Sequence, residues 1–208
     1  MTPEYIVDMI CKQTLKLNAI HNIENLLKVT ILDPCCGSGV FIVSCYEHLA
    51  VKMLQILSDN EEERTNYSDY YCVTDGQLLL TITGRRAIVT HCIYAVDCDE
   101  AAIEVTKMSL ALKIVDGNNP LAWEGIGAFG EKVLQEIADN IKLGNTLVNV
   151  DTRFTPDQIS NIKPFNMQSA FDDVFSNYGG FSYVIGNPPY VETKYYKAAH
   201  PIMHTYLI

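Results

Sequence analysis

Val29-Thr30-Ile31-Leu32-Asp33-Pro34-Cys35-Cys36-Gly37-Ser38-Gly39 leads into an apolar run from Val40 to about Leu57. The first four residues, three of them β-branched, predict a buried strand. Asp-Pro ends it, Gly37 and Gly39 permit conformations and close approach that a Cβ would block, and the following run predicts a helix. Strand, glycine loop and helix in that order open an α/β fold, and such a loop can cradle a nucleotide. It is not a dinucleotide fingerprint. A full G-x-G-x-x-G is absent, and no lysine follows the second glycine as a phosphate loop requires. Asp33 also makes the loop acidic, which suits a ligand carrying positive charge on an amine and a sulfonium.

Working outward, Ile93-Tyr94-Ala95-Val96 predicts a second strand ending in Asp97-Cys98-Asp99, before a helix from about Glu100 to Val115. A carboxylate at such a strand end can bind ribose hydroxyls, a role assigned to Asp97, whereas Asp99 is read as the helix N-cap. The helix rests on Ile103, Leu110 and Ile114 together with Val105, Met108 and Leu112, a broad apolar face expected to pack on a sheet. Gly144-Asn145 interrupts the apolar run from Ile141 to Val148. Asn145 there can accept from an adenine amino group or be an ordinary turn asparagine.

Phe181-Ser182-Tyr183-Val184-Ile185-Gly186 predicts a further strand, and it ends in Asn187-Pro188-Pro189-Tyr190. The lone pair of a planar amino nitrogen is delocalised, so it attacks poorly until acceptors hold its N–H groups. The Asn187 side-chain oxygen and the Pro188 carbonyl are two such acceptors, since proline keeps its C=O while lacking an N–H. Pro189 extends the rigid turn, and the Tyr190 ring offers a base a stacking face worth about 1–3 kcal/mol. Ligands of open α/β sheets sit beyond the carboxyl ends of strands, where this tetrapeptide falls.

In order and spacing these residues resemble the N6-adenine DNA methyltransferases whose cofactor motifs precede the catalytic motif, as in type IIG and type I restriction-modification systems. The resemblance covers nearly the whole chain. It implies a Rossmann-like α/β sheet with helices on both faces and S-adenosylmethionine as cofactor. The implied cofactor-binding residues are Thr2, Pro3, Asp33, Pro34, Cys36, Gly37, Gly39, Asp97, Cys98 and Asn145. Thr2-Pro3 would open a helix and help close over the methionine part, although Thr as N-cap and Pro in a first turn is the plainer reading. Cys98 falls where the family has an apolar residue against the adenine ring. Asn187, Pro188 and Tyr190 would be catalytic, and Asn187, Pro189 and Tyr190 would hold a target base flipped from the duplex. No metal is needed. The family pattern continues with three more strands and a target-recognition domain, so residues 1–208 are expected to be one cofactor-binding and catalytic domain lacking the last strands. Within it, 1–28 is a helical opening and 29–190 the core. Double-stranded DNA would be held through the recognition domain, and an exposed sheet edge would permit self-association.

Composition sets outer bounds. With 208 residues, 48% hydrophobic and 19% charged, the chain is long enough for one globular core. No uninterrupted apolar run reaches the ~18 residues of a membrane span, and no signal pattern opens the chain, so a cytoplasmic location is expected. Seven cysteines without paired C-x-x-C spacing read as reduced thiols. The net charge of -10 argues against strong DNA binding by this segment alone. Lys194 and Lys197 are read mainly as surface residues. A polar stretch from Ser58 to Gly76 reads as a mobile surface insertion, Gly84-Arg85-Arg86 as a solvated turn, and 116–130 as an irregular zone in which Trp123 packs. Two other readings stay open: a methyltransferase acting on release-factor glutamine or ribosomal RNA, and a non-catalytic module that binds cofactor or a partner. The position of Thr2-Pro3 just before the glycine loop, with no helical domain ahead of it, favours the DNA enzymes.

Overall fold

The computed structural model describes residues 2–115, 126–149 and 155–188. Helix α1 (Glu4–Thr14), a 3-10 turn (Leu17–Ala19) and α2 (Ile23–Leu27) precede strand β1 (Ile31–Asp33) and the long helix α3 (Val40–Asp59). Next come α4 (Glu61–Asn66), the hairpin β2 (Tyr71–Thr74) and β3 (Gln77–Leu80), then α5 (Ile82–Cys92), β4 (Ile93–Asp97) and α6 (Glu100–Val115). Helix α7 (Ile126–Asn140) leads to β5 (Ile141–Leu143). Short helices α8 (Pro156–Ile162), α9 (Met167–Ala170) and α10 (Asp172–Tyr178) lead to β6 (Tyr183–Val184).

Among the described residues β1, β4, β5 and β6 form a parallel sheet in the order β5-β4-β1-β6. The chain steps outward from β1 to β4 and β5, then returns to the other side of β1 as β6. That reversal makes a crevice beyond the ends of β1 and β6, the usual ligand position in open α/β sheets.

Alternation along the strands separates two faces. Ile31, Ile93, Ala95 and Ile141 belong to a large core with Val7 and Cys11 of α1, Leu49 and Met53 of α3, and Ile88 of α5. Leu32 and Val96 point the other way, into a smaller core with Phe171 and Val174. Around this second core Tyr94, Phe171 and Phe181 make edge-on ring contacts with centroids 5.3–5.5 Å apart. Fully burying each large aliphatic side chain contributes about 1.5–3 kcal/mol. α3 is long and apolar enough by composition to cross a membrane. It is nonetheless the central helix of the larger core, with Ile42, Cys45, Leu49, Met53 and Leu57 buried to completion.

Several sequence expectations change. The stretch from Ser58 to Gly76 is ordered: Asn60 Oδ1 caps α4 by accepting from the Glu62 and Glu63 amides, and Glu63 Oε2 accepts from the Ile23 amide at 2.8 Å. Asp75 and Gly76, both at positive φ, turn the β2–β3 hairpin. Asp-Gly between two apolar runs is the sequence signal for that turn. Arg85 and Arg86 lie within α5, and the Arg86 guanidinium grips both carboxylate oxygens of Glu136 on α7. Of the six apolar residues expected on the α6 face, Ile103, Leu110 and Ile114 are buried in the core, while Val105, Met108 and Leu112 are at least half exposed. Of the zone expected to be irregular, the chain is helical from Ile126 onward, and Trp123 lies outside the described residues. The strand expected over 181–186 is short, although Tyr183 and Ile185 donate to the Thr30 and Leu32 carbonyls, so bonding to the β1 segment continues one residue past Val184.

Candidate functional site: an acidic pocket at the sheet switch point

Asp33 ends β1 and is 1% exposed. Its Oδ1 accepts from the Cys35 amide at 3.0 Å, which turns the chain sharply out of the strand. Gly37 and Gly39 follow at φ +52° and +80°, left-handed values at which a side chain is strained. A Cβ on Gly39 would meet the Thr106 side chain at 2.9 Å, so this glycine lets α6 close against the loop. Thr106, fully buried, donates to the Gly37 carbonyl at 2.9 Å. Nothing in the apolar pattern of α6 singles out Thr106, yet it holds the loop from below.

Asp97 ties the loop to β4. Its Oδ2 accepts from the Gly37 amide at 2.7 Å and its Oδ1 from the Asp99 amide at 2.9 Å. Asp99 in turn accepts from the Ala101 amide at 3.0 Å and so caps α6. The loop after β5 joins through Thr146, whose hydroxyl donates to the Pro34 carbonyl at 2.9 Å. In that loop Asn145 Oδ1 accepts from the Leu147 amide at 3.1 Å, the local turn geometry of the plainer reading. Gly186, just past β6, is the close approach on the fourth side: a Cβ there would lie 2.5 Å from Asp33 Oδ1.

These contacts enclose a pocket of about 400 Å³ lined by Pro34, Cys35, Gly37, Asp97, Cys98 and Asn145, with Gly144, Thr146, Leu147, Asn187 and Pro188 completing its wall. Residues separated by 150 positions in sequence therefore share one cavity. Placement differs in part from expectation. Of the adjacent cysteine pair, Cys35 lines the pocket, because Cys36 turns inward to lie 3.8 Å from Thr106 Oγ1. Asp33 sits behind the wall and acts on the pocket through its field, and Gly39 serves packing. Thr2 and Pro3 line a neighbouring groove of about 790 Å³ between α1, α3 and α6. Thr2 caps no helix. The α1 N-cap is Pro3 without a side-chain bond, and the Thr2 hydroxyl instead receives the Asn187 Nδ2 hydrogen at 2.9 Å. Pro189 and Tyr190 lie outside the described residues.

The electrostatics favour a cation and disfavour covalent chemistry. Burial first, with a smaller push from Asp97, raises the Asp33 carboxyl to about 6. Burial, and then the Asp33 charge, pushes the Cys35 thiol up to about 12; burial also raises Cys98. Thiols held neutral in this way are poor nucleophiles. What remains is an acidic cavity with Asn187 and Pro188 at one side.

The model of the Eco57I restriction-modification methylase family matches residues 91–207, more than half of the chain. The chain belongs to this family. The matched span begins at the end of α5 and takes in Asp97, Asn145 and the Asn187 tetrapeptide. Among relatives, the Type II restriction enzyme and methyltransferase RM.Eco57I of Escherichia coli is 26% identical over 202 residues, covering 96% of this chain and 18% of that protein. DNA methyltransferase A of Bacillus subtilis is 26% identical over 182 residues, covering 86% of this chain and 17% of the relative. The chain thus spans less than a fifth of the length of these curated family relatives.

Proposed function

We propose that this methylase-family chain is the cofactor-binding and catalytic module of a cytoplasmic DNA methyltransferase that modifies adenine N6 within a restriction-modification system. The observation that carries the reading is the meeting of Asn187 and Pro188 with Asp97 and the glycine loop in one pocket at the sheet switch point. S-adenosylmethionine fits the donor set, since Asp97 and the buried Asp33 supply negative potential and Leu147 supplies an exposed apolar surface for a ring. When bound, it would supply an electrophilic methyl group on sulfonium. Asp97 would orient the ribose, as its carboxylate is already fixed by two backbone amides. Asn187 Oδ1 and the Pro188 carbonyl would accept the two hydrogens of the target amino group, holding the nitrogen as it gains tetrahedral character. Double-stranded DNA would be gripped by parts of the protein beyond this chain, given its net charge of -10.

The test is tritium transfer from labelled cofactor to DNA by the full-length protein, with the product nucleoside identified. Asn187→Ala is expected to lower turnover by roughly 10²–10³, the effect of removing a hydrogen bond that strengthens in the transition state. Its cofactor affinity is expected to stay within about twofold, since the contact is with the target. Asp97→Ala is expected to weaken cofactor binding by about 1–3 kcal/mol. Label in protein glutamine or RNA would move the assignment to those substrates. Cofactor binding without any transfer would favour a non-catalytic module, and full activity in Asn187→Ala would refute the mechanism.

A further inference from the structure

We infer that Thr2 is a positioning residue for the Asn187 carboxamide, acting on the target side of the pocket; this rests on the amino-methyltransferase reading above. The observation is the bond from Asn187 Nδ2 to Thr2 Oγ1 at 2.9 Å, which joins the two ends of the described chain. The Thr2 hydroxyl has no capping duty in α1.

A carboxamide has two ends of nearly equal shape and opposite hydrogen-bonding sense. The target amino group brings N–H donors, so only the orientation with Oδ1 toward it is productive. The opposite orientation sets donor against donor. Once Oδ1 is given to the target, Nδ2 requires an acceptor, and the Thr2 hydroxyl stands there. Donation from Nδ2 also polarises the amide and strengthens Oδ1 as an acceptor. Asn187 is exposed, so the bond adds little to folding stability. Its effect lies in holding the carboxamide in place and giving Nδ2 an acceptor while the N–H groups of the target select the oxygen end, since a hydroxyl alone could serve either end.

Thr2 can do this because its own position is fixed from α3. Val7 and Cys11 of α1 are fully buried in the core, Cys11 Sγ lies 3.7 Å from Cys45 Sγ, and His48 Nε2 lies 3.0 Å from Asp8 Oδ1. Cys45 and His48 both belong to α3, the helix whose N-cap is Gly39. The acceptor for the catalytic amide is therefore carried by the same rigid pair of helices that carries the glycine loop.

The experiment is a double-mutant cycle in the full-length protein, with methyl transfer to adenine followed in single turnovers at saturating cofactor, and cofactor affinity measured separately. Thr2→Val is expected to slow transfer about 10- to 100-fold with cofactor affinity changed less than about threefold, and Thr2→Ser to restore most of the rate. In an Asn187→Asp background the carboxylate has two equivalent acceptor oxygens and no orientation to select, so Thr2→Val is expected to cost less than about threefold. An unchanged rate in Thr2→Val overturns the inference. So does an effect confined to cofactor affinity, or an equal loss in both backgrounds, which would mark a merely structural role. Failure of the unsubstituted protein to methylate adenine would instead sink the underlying functional reading, whatever Thr2 does.

Discussion

Asp33 shows how one residue can be buried for geometry and still govern the site's electrostatics. Its folded carboxyl titrates near 6 because burial penalises the charge, whereas in the unfolded chain it would titrate near the ordinary value of about 3.9. Between about pH 4 and 6 the folded state therefore holds a proton that the unfolded state has lost. With the folded value raised, the contribution to stability, up to about 3 kcal/mol, is complete below pH ~4 and is lost as the pH rises through 6. A cation in the adjacent pocket favours the ionised form. Cofactor binding at pH 5.5 is thus expected to release protons, and affinity to rise from pH 5 to 7, an effect that Asp33→Asn removes. Calorimetry in buffers of different ionisation enthalpy checks this, and a flat profile would show that Asp33 does not sense the ligand.

At the scale of elements, the two arms of the large core are stapled by a pair that the sequence disguises. Arg86 on α5 and Glu136 on α7 meet through two nitrogen–oxygen contacts, with side chains about one-third and one-quarter exposed. Such a partly buried, two-pronged pair lies between an exposed ion pair and a buried one, worth about 1–2 kcal/mol. Glu136→Gln is expected to lower Tm by on the order of 5 °C, with cofactor binding preserved if the sheet ends stay in place. Thermal unfolding followed by circular dichroism reads this directly; an unchanged Tm would place the pair among contacts that hold no net energy. Arg-Arg after glycine looks like a turn because local composition carries no information about a partner 50 residues away.

For the molecule as a whole, the consequential surface is the outer side of β6. Among the described residues β6 pairs only with β1, and Val184 is 60% exposed. An unpaired edge beside an apolar side chain templates association. We expect the isolated 208-residue chain to self-associate with rising concentration in light scattering, and Val184→Lys to reduce it. A monomer at high concentration would mean that this edge is covered.

The sequence alone determined the alternation of strand and helix, the glycine loop and the residues of the Asn187 tetrapeptide, because hydrophobic period, glycine placement and proline chemistry act within a few residues. The start of α6 at Glu100 and of α3 at Val40 were legible for that reason. The Asp75-Gly76 turn signal was present in the sequence but hidden, because it lay inside a stretch whose polarity read as a mobile surface insertion. Tertiary structure alone decided which of Cys35 and Cys36 lines the pocket, that Thr106 supports the loop, that Gly186 must admit Asp33, and that Thr2 receives the Asn187 amide hydrogen and caps nothing. Each of these depends on the order β5-β4-β1-β6, which brings chain segments up to 185 residues apart within hydrogen-bond distance. Local pattern fixes what a residue can offer; only packing fixes the partner that receives it.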